Sequence, residues 1–408
     1  MLRAVVMTAT GVLLAVAAVG PSAGAESLSL AEARQMVFER HPGLDALTEE
    51  LRSAEETVRQ VSALENPEIE IGTEQFGRNE VEVLITQPIP LGGARGAAIG
   101  KARQEIEMAR LNLESERLAV EAELVRRFVA VLSAEGRVAL LDSLIEVSEK
   151  GIAAVSRLVD AGAAMRIDLV RTELGRDELL LDRLDFERAL VQEKTSLAAL
   201  WGETEFRYDG LSGSIGGLLD VPSLDVLVEA IEVHPASMLL GVEKDMALAE
   251  LDEAHAERWP ELALSAGYLQ NNEADEGVPL VGVSISLPIF DRKGASIAAG
   301  RHNVAAAEHR RTLGRLERST TLSILYSELE GTHSRLEAVS GEILPKAARI
   351  HTDLQSFYAG GRAGILDVLE ARGHLLEVRM RVVDLAEEQA LLRADLVELT
   401  GYEMEIIR

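Results

Sequence analysis

Glu68-Ile69-Glu70-Ile71-Gly72-Thr73 alternates charged or small residues with apolar ones. Glu80-Val81-Glu82-Val83 repeats the pattern, and Ile85 continues its apolar side. A period of two is the signature of a β-strand with two unlike faces. A second pair of such segments lies further along the chain. Leu262, Leu264, Ala266 and Tyr268 share one side of a strand, and Val281, Val283, Ile285 and Leu287 alternate with Gly282, Ser284 and Ser286. Each segment has about nine to twelve residues, close to what a tilted strand needs to cross a bilayer. An apolar face opposite an acidic or small polar face fits a barrel wall with lipid outside and water inside. The same pattern also fits a pair of hairpins capping a helical domain.

The two strand pairs sit at matching places in a longer repeat. His41-Pro42 recurs as His234-Pro235, and Asn66-Pro67-Glu68 as Trp259-Pro260-Glu261. Gln87-Pro88-Ile89 recurs as Leu287-Pro288-Ile289, Gly162 with Asp168 as Gly361 with Asp367, and Leu200-Trp201-Gly202 as Leu399-Thr400-Gly401. The order is kept throughout, which reads as a duplicated unit of roughly 190–200 residues. The expected division is a first repeat over 26–208, a linker over 209–223 and a second repeat over 224–408. Each repeat reads as a helix (about 29–64 and 223–258), a hairpin (68–89 and 261–289), a very long helix (about 98–159 and 296–357) and a return helix (about 167–201 and 365–400).

The long helices carry a spacing of seven. Leu124, Val131, Val138, Ile145, Ile152 and Val159 form one series, and Leu369, Leu376, Val383, Ala390 and Val397 another. Such spacing means helices packed side by side along coiled-coil seams. At about 1.5 Å per residue the first long helix is on the order of 90 Å long. That suits a rod or the wall of a tube, and periodicity alone does not separate them.

Residues 1–25 read as a secretory signal peptide. Arg3 is the only charge before Glu26, Ala4 to Val19 is almost wholly apolar, and Ala23-Gly24-Ala25 supplies the small residues of a cleavage site. No later segment is apolar enough for a membrane-spanning helix. The 408 residues carry 68 acidic against 41 basic side chains, a formal charge of −27, and no cysteine. The acidic surplus argues against nucleic-acid binding. The lack of cysteine excludes disulfides, thiolate metal sites and a thioether lipid anchor.

If the strands cross a membrane, four of them cannot close a barrel, and an open edge in lipid is not viable. Several identical chains must then share one barrel. The polar stretch Asn271-Asn272-Glu273-Ala274-Asp275-Glu276-Gly277 lengthens the second hairpin. Longer loops belong outside the cell, so both hairpin tips face outward and the helices hang in the periplasm.

The ordered set of motifs resembles the TolC-type outer-membrane efflux proteins over essentially the whole chain after residue 25. Ser29-Leu30-Ala31-Glu32-Ala33 with His41-Pro42 is similar to the family's opening, with His in place of the common Asn. Thr86-Gln87-Pro88-Ile89-Pro90-Leu91-Gly92-Gly93-Ala94-Arg95 is similar to the CzcC-like heavy-metal branch, with Ala94 where that branch has Lys. Leu287-Pro288-Ile289-Phe290-Asp291-Arg292 and the stretch from Tyr358 to Leu369 resemble its second-half motifs. The resemblance implies a mainly α fold with β: a long α-helical barrel plus four transmembrane strands per chain, contributing to a shared 12-stranded barrel. It implies a homotrimer in the outer membrane, acting as the exit duct of a tripartite pump. The implied partners are a periplasmic membrane-fusion adaptor and an inner-membrane transporter of the resistance–nodulation–division type. Heavy-metal cations are the implied cargo, with drugs or proteins (type I secretion) as the alternative for the same architecture.

Glu68, Glu70, Glu80 and Glu82 lie opposite the apolar strand face and are the candidate acidic lining of the barrel, where negative charge concentrates cations. Gly162, Gly360 and Gly361 mark the turns where the helices fold back, the expected docking surface for the adaptor. Asp168 and Asp367 stand on the first turns of the return helices, where they cap the helix. Alternatively Asp160, Asp168 and Asp367 form acidic rings or bridges with Arg166 and Arg362 that gate the periplasmic end. No enzyme motif is complete. Gly96 to Ala102 lacks the first Gly and the Ser/Thr of a phosphate loop, and Glu330-Gly331-Thr332-His333 stands alone as a Glu-x-x-His pair. No cofactor is expected, and a role as an enzyme is not. A periplasmic coiled-coil scaffold without a channel is the remaining rival.

Overall fold

A computed structural model describes residues 27–74, 80–215, 219–271 and 276–407. The signal-peptide assignment at 1–25 lies outside them. The chain runs β1 (Leu28–Ser29), α1 (Leu30–Arg40), α2 (Pro42–Ser62), β2 (Glu68–Glu74), β3 (Glu80–Ile89), α3 (Ala94–Asp160) and α4 (Arg166–Ala199). It continues with β4 (Leu211–Ser212), α5 (Leu224–Val233), α6 (Pro235–Ala256), β5 (Glu261–Asn271), β6 (Glu276–Ser286), α7 (Gly294–Ala338), a π turn (Val339–Ile343), α8 (Leu344–Ala359) and α9 (Ile365–Thr400). No helix among these is long and apolar enough to cross a membrane.

Each break in the helices has a local cause. The helix expected over 29–64 is two helices, because Pro42 has no N–H to continue the ladder and favours the first position of a new helix. His41 therefore closes α1, donating its N–H to Val37 O at 2.9 Å, and opens α2. His234-Pro235 splits α5 from α6 in the same way. α1 starts at a capping box: Glu32 Oε2 accepts from the Ser29 N–H at 2.9 Å, and the Glu32 N–H donates to Ser29 Oγ at 3.3 Å. The long helix expected over 296–357 is interrupted by the π turn. Pro345 cannot donate to the carbonyl four residues back, and the helix widens just before it.

The helices form two rows. Nearest the sheet, α2 packs on α3, α3 on α6 and α6 on α7; further down, α4 packs on α3, α3 on α9 and α9 on α8. α3, with 67 residues, belongs to both rows and is about 100 Å long. The core is thickest where the rows overlap. Phe128, Leu124 and Val131 of α3 meet Val37, Leu197 and Trp201 there, all nearly inaccessible. Val125 and Val129 meet Ala390, Ala394 and Ile406. Burying a side chain the size of Phe128 stabilises by about 1.5–3 kcal/mol. Residues 211–212 take part as well, because β4 pairs in parallel with β1 through Leu28↔Leu211 and Ser29↔Ser212.

The sevenfold spacing is present, but its innermost stripe is displaced. On α3 the buried series below Val131 is Leu141, Ser148 and Val155, while Val138, Ile145, Ile152 and Val159 are half-buried. On α9 it is Ala371, Val378, Leu385 and Leu392, while Leu369, Leu376, Val383 and Val397 are half-buried and Ala390 alone of the expected series is buried. A helix with neighbours on two sides carries more than one seam, and a spacing of seven does not tell which seam is deeper.

His234 is buried, with 4% of its surface accessible. Its Nδ1 accepts the Ala236 N–H at 3.2 Å and so caps α6. Burial, and then the charge of nearby Arg318, lower its pKa from 6.5 to about 4, against a smaller opposing pull from the Glu398 backbone carbonyl. The fold therefore holds the neutral ring. Its stabilising contribution is complete above pH 6.5 and is lost as pH falls towards 4, on the order of 3 kcal/mol in all. Thermal midpoints measured at pH 7.5, 5.5 and 4.5 are expected to fall more steeply for the native chain than for His234→Gln. Parallel curves would show that His234 does not carry this acid sensitivity.

Candidate functional site

The four longer strands form one antiparallel sheet in the order β2-β3-β5-β6. Its register joins the apolar positions into continuous rows. Ile69, Ile85, Ala266 and Val281 form one row, and Ile71, Val83 and Tyr268 run through the next. Leu264 and Val283 stand in the row of Gln87, and Leu262 and Ile285 in the row of Ile89. Most of these side chains are exposed, Val281 at 88%, Ile71 at 70% and Val283 at 64%. A four-strand apolar face left largely exposed among the described residues is a surface made for another apolar medium.

The opposite face has the rows Glu68–Thr86–Ser265–Gly282, Glu70–Leu84–Gly267–Leu280 and Gly72–Glu82–Leu269–Val278. Glu68, Glu70 and Glu82 therefore share that face. Glu80 falls in the row nearest the hairpin tips, with Glu74, Asn271 and Glu276. The face is not purely acidic or small, as the alternation suggested. Leu84, Leu269 and Leu280 also stand on it, and Gly267 lies so close to Val83 O that a Cβ there would collide with it.

The far ends of the helices carry the second group of candidate residues. Gly162 and Gly361 both adopt φ +69°, the left-handed conformation that ends a helix. The Ala163 N–H donates to Leu158 O, and the Arg362 N–H to Phe357 O, each at 2.8 Å. The turns are thus matching copies. Gly360, at φ −89°, needs no special backbone freedom. Asp168 Oδ2 accepts the Met165 N–H at 3.2 Å, and Asp367 Oδ2 accepts the Gly364 N–H at 2.8 Å. Both carboxylates hold the first turn of a return helix, where negative charge is favoured. Asp160, Arg166 and Arg362 are exposed. Among the described residues, no ion pair within the chain joins the three aspartates to the two arginines; Arg362 instead lies over the Phe357 ring at 4.7 Å.

One tip residue had no individual role in the sequence reading. The Tyr358 hydroxyl is buried without a hydrogen-bond partner. Burial, and then the nearby charge of Asp168, push its pKa above the ordinary phenol value. The charge of the first turn is thus felt at the second. Tyr358 was legible only as part of a motif, since nothing in its spacing marks its approach to a residue nearly two hundred positions away. No group of three or more His, Cys, Asp or Glu able to hold a metal occurs among the described residues.

The model for outer membrane efflux proteins matches residues 33–203 and again 229–402. The cobalt-zinc-cadmium resistance protein CzcC of Cupriavidus metallidurans is 26% identical over 364 residues, covering 88% of this chain and 87% of the relative. The nickel-cobalt-cadmium resistance protein NccC of Alcaligenes xylosoxydans xylosoxydans is 27% identical over 337 residues, covering 79% and 75%. Among solved structures, the outer-membrane channel OprN superposes with a TM-score of 0.77 at 16% identity, over 91% of this chain and 89% of that one. Strand face, helix rows and family match agree: the chain belongs to the outer membrane efflux protein family.

Proposed function

We propose that three copies of this chain form the outer-membrane exit duct of a tripartite pump that expels heavy-metal cations. The carrying observation is the continuous apolar row across four strands, in a sheet whose β2 and β6 edges are both open. Two copies would give eight strands, a barrel its own side chains fill. Three give twelve, room for a wet lumen, with no edge left in lipid. The helices support a ring as well. The lower row ends in α4 and α8. Leu174, Leu181 and Leu184 are exposed on α4, and Ile350 and Phe357 on α8. Two different open apolar edges on one chain suit a head-to-tail contact, and the closed barrel that the strands require makes it a ring.

In this reading 26–208 and 224–408 are repeats joined by 209–223, and each supplies one hairpin and one helix pair to the wall. Glu68, Glu70, Glu80 and Glu82 line the barrel and favour cations. The turns at Gly162, Gly360 and Gly361 meet the periplasmic membrane-fusion adaptor, which couples the duct to an inner-membrane resistance–nodulation–division transporter. Asp160, Asp168 and Asp367, repeated by threefold symmetry, ring the periplasmic mouth, with Arg166 and Arg362 as partners across subunits. The cargo follows from the relatives, which are named for resistance to cobalt, zinc, cadmium and nickel.

Purified protein in planar bilayers is expected to conduct, with cations preferred over anions. Asp160→Ala and Asp367→Ala are each expected to raise the current or weaken that preference severalfold. Unchanged current and preference in both variants would remove the gate, and absence of any conductance would remove the duct.

A further inference from the structure

Phe290 has its whole side chain in solvent. It stands between the edge strand β6 and the edge helix α7. Leu64, 65% exposed, stands between the edge helix α2 and the edge strand β2. The sheet is ordered β2-β3-β5-β6 and the helix row beneath it α2-α3-α6-α7, so both residues sit on open edges, one at each end, and at the same height. In a closed ring of head-to-tail copies, the β6 edge of one chain runs antiparallel to the β2 edge of the next. Phe290 lies four residues past the end of β6, and Leu64 four residues before the start of β2. Closing the ring brings them together.

The receiving side offers apolar surface beside charged groups. A cleft of about 380 Å³ opens beside Leu64; Val61, Pro90, Ala94 and Ala98 give it apolar surface, and Glu253 and Glu257 of α6 also line it. The charges match as well. Arg292, two residues after Phe290, and Glu65, directly after Leu64, are exposed, and neither is in an ion pair among the described residues. Resting on the ring proposed above, we infer that Phe290 of one copy seats in the Val61–Leu64 cleft of the next, with Arg292 facing Glu65 of that neighbouring copy. The seat lies at the junction of barrel and helical tube. Of all side chains, a solvated Phe has among the most apolar surface to gain by burial. A ring whose copies lock just below the sheet holds its strand edges in register where no backbone ladder continues. The occupant is thus a second copy of this chain.

The chain has no cysteine, so introduced thiols report without background. The test uses the full chain extracted from membranes, with Leu64→Cys and Phe290→Cys combined, and each alone as a control. Oxidation, or a short bismaleimide, is expected to turn most of the double variant into covalent dimers and trimers, and neither single variant. Native mass spectrometry of the same samples reads the subunit count independently. Phe290→Ser is expected to lower the temperature at which the oligomer dissociates, and Phe290→Leu to restore most of the loss. A trimer that never cross-links at this pair overturns the seat and leaves the ring standing. A monomer overturns the ring, and the seat with it.

Discussion

Val283→Lys is expected to remove the protein from the assembled outer-membrane fraction, whereas Ser284→Lys, one residue away, is expected to leave assembly intact. The two side chains point to opposite sides of β6. Val283 stands in the apolar face beside Leu264, and Ser284 in the polar face opposite Ala263. A lysine on the lipid side of a barrel strand costs about 2–4 kcal/mol near the bilayer midplane, and the proposed threefold assembly would meet that cost three times. On the water side the ammonium stays hydrated. Ser284→Lys instead adds a positive charge to the face bearing Glu68, Glu70 and Glu82, and shifts ion preference towards anions. Heat-modifiable migration of the outer-membrane fraction measures assembly, and reversal potential measures preference. Equal loss in both variants, or loss only for Ser284→Lys, would mean that the sheet does not face lipid with its Val283 side.

The same alternation explains why the sheet was legible from the sequence. Period two leaves a strand little freedom once one face is apolar, so Ile69, Ile71, Val81, Val83 and Ile85 had to lie together, and the observed register puts them so. The turns at Gly162 and Gly361 were legible for a similar reason, since a left-handed residue has few candidates. Other features were hidden because they depend on partners distant in the chain. The deep seam on α9 runs through Ala371, Val378, Leu385 and Leu392 because of where α7, α8 and α3 lie, and a second series of sevens on the same helix was equally regular. The leucines at 84, 269 and 280 break the simple polar reading of the inner face, and a period of two assigns a face without saying what surrounds it. The influence of Asp168 on Tyr358 links residues nearly two hundred positions apart, which no spacing in the sequence marks.

Arg393 was the least visible of all, and its removal is the largest stability effect expected in the helical region. It sits on α9 with 3% of its surface accessible. Its Nε donates to Glu405 O at 2.9 Å, Nη2 to Asp220 O at 2.8 Å and Nη1 to Leu219 O at 3.4 Å. One planar guanidinium thus ties the segment before α5 and the tail after α9 to the helix between them. The tail's Ile406 is held against Val125 and Val129. Hydrogen bonds from a charged donor are worth about 1.5–3 kcal/mol each, and a buried carbonyl left without a donor costs about 1–3 kcal/mol. Removing the charge also relieves its own desolvation, so Arg393→Ala is expected to cost about 3 kcal/mol net. Arg393→Met restores the alkyl volume but no donor, and is expected to behave like alanine. Arg393→Lys recovers only part of the loss, because a point charge on a flexible stem cannot serve three diverging carbonyls as a fork does. Limited proteolysis between Gly401 and Ile407 reads the tail directly, and the thermal midpoint reads the whole. A methionine variant as protected as the native chain would show that packing alone, without the guanidinium clasp, holds these two segments in place.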